Sequence, residues 1–514
     1  MRHTNFWAWA EAAPDRPAVI EVDGSTVSYG ELAARVHRTA NALKALGLKP
    51  GDSIATLLKN RSHCLELFLA ALNCGWYYVP INHHGTADDV WWILENAEVK
   101  ALFVEDAFLE VATSAADLAD LAVEHRIALK PASGWVSWDD LRQRQSAERP
   151  DSSVGGQVMQ YTSGTTGRPK GVRRPLGGSA DDSIASLSWL LGVYGIEPGD
   201  GAHLISAPMY HSAVHSISVA ALHYGQVIVM MEKWTPEVCL DLIARYRITT
   251  SHMVATHFHR LLQLPEAVRA TADVSSLTHV LHGAVPTPVE TKRRMIEWWG
   301  PVIHEYYGSS EVGGTFVTAE EWLKKPGTVG RPFSISEVKI LDDDGRELPA
   351  GQVGSIWMRQ GEQKFSYFKD DAKTARSTRG QFIHVGDYGY VDEDGFLFLS
   401  GRDAEIIISG GVNIYPAQVE GRLLEHPWVR DCGVIGVPNA EFGEEVKAVV
   451  SLNPEARPTS ETERVLIEHC RSGLSHIVCP RSIDFVAELD RDPSGKLRKK
   501  QIRDPYWAQQ ERVL

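Results

Sequence analysis

Between residues 28 and 104 the apolar positions switch repeatedly from helical spacing to short continuous runs. Leu32, Val36 and Leu43 recur at helical spacing up to Gly47, behind Ser28 and Glu31, which stand at the separation of a capping box. Pro50-Gly51-Asp52 turns the chain, and Ile54 to Leu58 reads as an apolar strand. Cys64 to Leu72 predicts a helix, Trp76 to Ile81 a strand, Ala87 to Asn96 a helix and Ala101 to Val104 another strand. This βαβ alternation predicts parallel sheet. It resumes after a Gly-rich loop and continues to about residue 305, with strands over Val227 to Met231 and His279 to His282.

From about residue 327 to 400 the pattern changes to short strands separated by Asp344-Gly345, Ala350-Gly351 and Asp394-Gly395, which predicts hairpins in a small antiparallel or barrel-like subdomain with little helix. After Arg402 comes a strand over Ile406 to Ile408, Gly410-Gly411, and a helix from Pro416 to Leu424. Strands around Val434 and Val449, a helix over 460–471 and a strand around Phe485 complete a small α+β domain.

Composition narrows the function classes. The 514 residues are enough for two or three cores, and 43% hydrophobic with 23% charged residues is the balance of a globular protein. A net charge of -14 without a long Lys/Arg block argues against nucleic acid or an anionic membrane surface as partner. None of the six cysteines forms a CxxC pair, so neither a zinc site nor a disulfide framework is suggested. With no apolar leader and no long apolar run, the expectation is a cytoplasmic protein without integral membrane association.

Four blocks carry candidate chemistry. The first is Tyr161-Thr162-Ser163-Gly164-Thr165-Thr166-Gly167-Arg168-Pro169-Lys170-Gly171. Its small residues, hydroxyls and late lysine suit a backbone wrapped around a polyphosphate. It is not a Walker A loop, because the position five after Gly164 is Pro169. The second is Glu305-Tyr306-Tyr307-Gly308-Ser309-Ser310-Glu311, where an aromatic ring could stack a base and a carboxylate could hold magnesium. The third is Gly386-Asp387 with Gly401-Arg402, a carboxylate and arginine suited to ribose hydroxyls. The fourth is Lys496 in Asp492-Pro493-Ser494-Gly495-Lys496, whose ammonium could neutralise a transferring phosphoryl group. His211 and His215 are four apart, but Ser212 follows His211 where a zinc HExxH pattern needs glutamate, and pocket-lining or core histidines are the simpler reading.

In this order and spacing the blocks resemble the adenylate-forming superfamily of acyl-CoA synthetases, peptide-synthetase adenylation domains and beetle luciferases, over nearly the whole chain. The resemblance implies an α/β fold: a large N-terminal domain of two parallel-type βαβ sheets plus a small distorted β-barrel over 1–402, a hinge at 403–405, and a mobile α+β C-terminal domain over 406–514. It implies that Thr162, Ser163, Gly164, Thr165, Thr166, Gly167 and Lys170 cradle the ATP phosphates. Gly283, Ala284, Glu305, Tyr306, Tyr307, Gly308, Ser309 and Ser310 would surround AMP, with Tyr307 on adenine. Glu311 would ligate Mg2+, Asp387 and Arg402 would hold the ribose, and Lys496 would serve the adenylation step. His211 would gate the acyl pocket, lined by Ala213, Ser216, Ala220, Ala284, Gly313 and Gly314. Ser409, Gly410 and Gly411 would line the coenzyme A tunnel. The small, uncharged lining suggests a bulky cyclic, terpenoid-like or longer-chain acid.

The implied activity is ATP-dependent activation of a carboxylic acid to acyl-AMP, then transfer to coenzyme A, with ATP, Mg2+ and coenzyme A required. A ligase loading a carrier-protein phosphopantetheine and a catalytically dead nucleotide-binding regulator are the alternatives. A homodimer is left open. The chain departs from the family pattern at Ala404, where Asp or Lys usually marks the hinge, so Asp403 or Glu405 is a candidate substitute. Ser310 replaces Thr, and Val385 replaces the Thr common before Gly-Asp.

Overall fold

The computed structural model describes residues 5–151, 154–162, 168–284, 287–362, 364–492 and 495–508, apart from the side chains of Ile184 and Ala404. It divides into two compact units, one of residues 1–253, 264–281 and 362–379 and one of residues 254–263, 282–361 and 380–514.

In the first unit one sheet has the strand order Val136–Ser137, Arg126–Ala128, Val99–Val104, Ser53–Leu57, Tyr77–Pro80, Gln157–Val158. Every pairing in it is parallel. Ser53–Leu57 is buried throughout, which explains why it reads as an unbroken apolar run rather than an alternation. Two of the helices in this unit begin on side-chain caps: Ser28 accepts from the Glu31 N–H, and Thr86 forms a full capping box with Asp89. Strands Pro17–Ile20, Val227–Met230, Ala202–Ile205 and Thr250–Met253 pair in parallel in this order, with Thr26–Ser28 antiparallel at the edge. A small antiparallel sheet of Gln160–Thr162, Lys170–Arg173 and Ser366–Tyr367 carries the two ends of the Gly-rich loop.

In the second unit Ile303–Tyr307, Thr315–Val317, Thr328–Pro332, Leu397–Arg402, Asp387–Val391 and Gly354–Gln360 follow one another as antiparallel neighbours. Asp394-Gly395 closes the hairpin between Asp387–Val391 and Leu397–Arg402, as expected. Ile407–Ser409, Val412–Ile414, Val429–Asn439, Gly443–Leu452 and Ser482–Phe485 form a second sheet, on which Pro416–Leu424 and Ser460–Arg471 pack through Val419, Leu423 and Leu466.

Two helices escape the periodicity. Phe6–Ala12 is too short to show a stripe and is held by tertiary contacts, the Phe6 N–H donating to His223 Nδ1 at 3.0 Å. Lys499–Trp507 is strongly polar and contains Pro505, yet Trp507 Nε1 donates to the Gly436 carbonyl at 3.1 Å. Among the described residues no helix is long and apolar enough to cross a membrane.

Candidate active site

Ser163 to Gly167 lie outside the described residues, but both ends of their loop are fixed. Thr162 pairs with Lys170 and Tyr161 with Gly171 across adjacent antiparallel strands. The Tyr161 hydroxyl donates to Asn96 Oδ1 at 2.6 Å, and Trp92 Nε1 donates to the Pro169 carbonyl at 3.1 Å. Lys170 Nζ is 2.9 Å from Asp370 Oδ2, a partner the sequence reading missed. Asp370 also accepts from the Lys373 N–H as the N-cap of Asp371–Ser377. The Lys170 hydrogen bond, then that N–H, hold its carboxyl below the usual range.

Pro208-Met209-Tyr210-His211 is pinned by Asn60, which accepts from the Met209 N–H at 2.9 Å and donates to the Ala207 and Met231 carbonyls. His211 precedes helix Ser212–His223 and its ring lies 4.3 Å from that of Tyr210, centroid to centroid. His215 Nδ1 is 3.2 Å from the Met209 carbonyl, which only accepts, so the proton sits on Nδ1. Burial pushes His215 and His252 down to about 4, with the neighbouring His211 adding to both shifts. On the same helix Ala213 and Ser216 are half-buried, whereas Ala220 is fully buried.

In the second unit the Tyr307 hydroxyl donates to Asp387 Oδ2 at 2.7 Å and Arg402 Nε donates to Asp387 Oδ1 at 3.0 Å. The pairing of Asp387 with Arg402 across adjacent strands sets this geometry. Burial pushes the Tyr307 hydroxyl well above its usual value, and the Asp387 charge adds to it. Lys496 belongs to the same cluster: burial and then Arg402 lower its ammonium, against Glu405, Asp492 and Asp387, which raise it. Its N–H donates to Asp492 Oδ1, and the turn is braced by Arg491, which pairs with Asp431 and donates to the Gly495 carbonyl. Tyr307, Asp387, Arg402 and Lys496 are therefore brought together.

Ala284 has φ +66, a left-handed conformation costly for a residue with a Cβ, and a side chain at the preceding Gly283 would run into the Tyr306 ring and carbonyl. Val285 and Pro286 lie outside the described residues. Ser309 Oγ accepts from the Glu311 and Val312 N–H groups, both at 3.2 Å, in the turn that also contains Gly308 and Ser310. Glu311 is 7% exposed. Among the described residues no cluster of three or more His, Cys, Asp or Glu could hold a metal. The buried Glu311 carboxylate fits a magnesium ion that arrives on nucleotide phosphates.

Glu305 differs from a ligand-facing side chain. Its Oε2 is 2.7 Å from Lys292 Nζ and 3.5 Å from His282 Nε2, and Lys292 is fully buried above the Trp322 ring. Burial pushes Glu305 up and Lys292 down. Lys292 was legible in principle: it occupies the buried stripe Lys292, Met295, Ile296, Trp299 of its helix, where a lysine needs a partner. Gly313 and Gly314 are small for reasons of packing. The Gly313 N–H donates to Gln360 Oε1 at 2.9 Å and a Cβ there would meet that amide, while a Cβ on Gly314 would strike the Tyr307 carbonyl. Their smallness is thus no measure of pocket volume.

Ser409 is buried, and Gly410 and Gly411, at φ +57 and +80, form the tight turn between Ile407–Ser409 and Val412–Ile414. Asp403, Ala404 and Glu405 form one 3-10 turn. The Asp403 N–H donates to the Gly386 carbonyl at 2.8 Å, and Glu405 pairs with Lys499 at 3.0 Å.

A carboxylate held between an aromatic hydroxyl and an arginine, with a half-buried lysine whose charge is felt there, is an arrangement able to accept sugar hydroxyls and to meet phosphate charge. Residues 6–366 match the AMP-binding enzyme family and residues 418–496 its C-terminal domain, so the chain belongs to these adenylate-forming enzymes. It is 31% identical to the fatty acid–acyl-carrier-protein ligase ScoC of Streptomyces coeruleorubidus, covering 100% of this chain and 98% of that one. It is also 31% identical to the 2-succinylbenzoate–CoA ligase of Bacillus licheniformis, covering 98% and 100%. Among solved structures it resembles o-succinylbenzoate CoA synthetase from Bacillus subtilis in complex with its acyl-adenylate intermediate, with a TM-score of 0.80, 27% identity and 98% of both chains covered. The α/β architecture agrees with that structure, and the chain is an AMP-forming acid–thiol ligase.

Proposed function

We propose that this enzyme activates a hydrophobic carboxylic acid with ATP and passes the acyl group to coenzyme A. The carrying observation is the cluster of Tyr307, Asp387, Arg402 and Lys496. Asp387 has oxygen lone pairs beyond those used by Tyr307 and Arg402, enough to accept from two ribose hydroxyls. Tyr307 offers its ring to adenine. Lys496 orients the substrate carboxylate and the α-phosphate while Lys170 meets the departing phosphates. Glu311 would hold magnesium, which supplies charge neutralisation on those phosphates.

The acid's carboxylate oxygen attacks the α-phosphorus and pyrophosphate leaves. The thiolate then attacks the acyl carbonyl and AMP departs. The enzyme's contribution is mainly position and electrostatics. In this reading residues 1–402 form the adenylation domain, 403–405 the hinge and 406–514 a domain that swings between the two steps. Similarity to ScoC favours a second reading in which a carrier-protein phosphopantetheine is the acceptor.

ATP–pyrophosphate exchange with a short aliphatic, an aromatic, a long-chain and a polycyclic acid tests the first step. Preference for acetate would overturn the hydrophobic acid, and no exchange with any acid would overturn adenylation. Thioester formation with free coenzyme A against holo carrier protein decides the acceptor.

A further inference from the structure

Lys499 lies three residues after Lys496 and opens helix Lys499–Trp507. Its Nζ bridges Glu405 Oε2 at 3.0 Å and Glu420 Oε1 at 2.9 Å, with only 16% of the side chain exposed. Glu420 Oε1 also accepts the Val434 N–H at 2.8 Å, which fastens it to the strand Val429–Asn439. Upstream of the 403–405 turn, Arg402 is bonded to Asp387 and the Asp403 N–H to the Gly386 carbonyl. The turn is gripped on both sides, and Lys499 is the downstream grip.

The stretch from Lys496 to Lys499 is itself stiff. Leu497 bridges to Arg491, and the Arg498 N–H donates to the Asp490 carbonyl at 3.2 Å before the helix begins. Glu405 also interacts electrostatically with Arg402 and Lys496. Its charge is therefore felt by two cations of the active site while its ion pair is made with a third, Lys499.

We propose that Lys499 is a positioning residue for adenylation: it draws Glu405 toward Glu420 and so leaves the Lys496 ammonium available to the substrate carboxylate and α-phosphate. Without Lys499, Glu405 becomes an internal competitor for Lys496. This role rests on the adenylation reading above.

The test is Lys499→Met, alone and with Glu405→Gln, in both half-reactions. The single variant loses about tenfold or more in kcat/KM for pyrophosphate exchange, while thioester formation from supplied acyl-adenylate stays within about twofold. Adding Glu405→Gln recovers most of the exchange, and Lys499→Arg keeps it. Equal loss in both half-reactions, or no recovery in the double variant, overturns the proposal.

Should Lys499→Met fail to fold, Glu405→Gln alone carries the test. Lys496 is faced by Arg402, Glu405, Asp492 and Asp387, and losing the Glu405 charge makes its ammonium easier to deprotonate. The alkaline limb of the exchange profile then moves to lower pH, and an unmoved limb refutes the proximity. Absence of exchange in the parent enzyme removes the adenylation reading itself, a result distinct from loss confined to the variants.

Discussion

Lys170 and Lys496 face opposite local problems. Lys170 is partly exposed and holds one carboxylate, Asp370, at the end of a two-stranded clasp. Lys496 is half-buried and feels a guanidinium and three carboxylates, and its partial burial with Arg402 weakens its hold on the proton. A partly exposed ion pair exchanges its partner for a phosphate at little cost, whereas a desolvated ammonium interacts strongly with whatever charge develops beside it. The difference suits one lysine to holding and the other to timing.

The largest effect that would break this contrast is at Lys496. Lys496→Ala is expected to cut pyrophosphate exchange by about 100- to 1,000-fold and to spare thioester formation from supplied acyl-adenylate. Equal loss of both steps would show that the lysine is not confined to the first. The parent enzyme should also lose exchange on the alkaline side earlier than an ordinary lysine would dictate. Its ammonium is the active form, present below the lowered pKa and lost as pH rises through it. A pH profile checks the sign.

The fully buried Lys292 extends the comparison from function to stability. Lys292→Met strands the Glu305 carboxylate and is expected to cost about 3–5 kcal/mol, read by denaturant unfolding. Glu305 already has its pKa raised by burial, so its ionisation weakens folding as pH rises past the unfolded carboxylate value, and removing Lys292 enlarges that loss. The gap to the parent should therefore be smaller at pH 5 than at pH 8. Asp387→Asn should raise the KM for ATP by about tenfold, from the loss of charge-assisted hydrogen bonds. The smallest change is expected of Asp370→Asn, which frees Lys170 and should improve the KM for ATP by no more than about fivefold. A large loss there would make Asp370 a ligand-binding group instead.

Much of this was legible in the sequence because helices of both units are built from local periodicity. Ala87–Asn96 and Pro416–Leu424 fall where apolar spacing and start signals put them. The Gly-rich clasp and Asp387 stood out through residue types rarely grouped without cause. Partners distant in sequence were not legible. Asp370 lies 200 residues after Lys170, and its role depends on how Ser366–Tyr367 pairs with Lys170–Arg173. Glu405 looked like one of two hinge candidates, and only folding shows it tied to Lys499. Gly313 and Gly314 misled for the converse reason: a missing side chain reports a close neighbour as readily as an empty space.

The hydrogen bond from Tyr307 to Asp387 makes base and sugar recognition a single cooperative event in the proposed nucleotide site. A change in the purine that tilts the ring also shifts the acceptor offered to the ribose. Penalties for altered base and altered sugar should then combine non-additively, so that a doubly modified nucleotide reports a coupling energy which neither single analogue reveals.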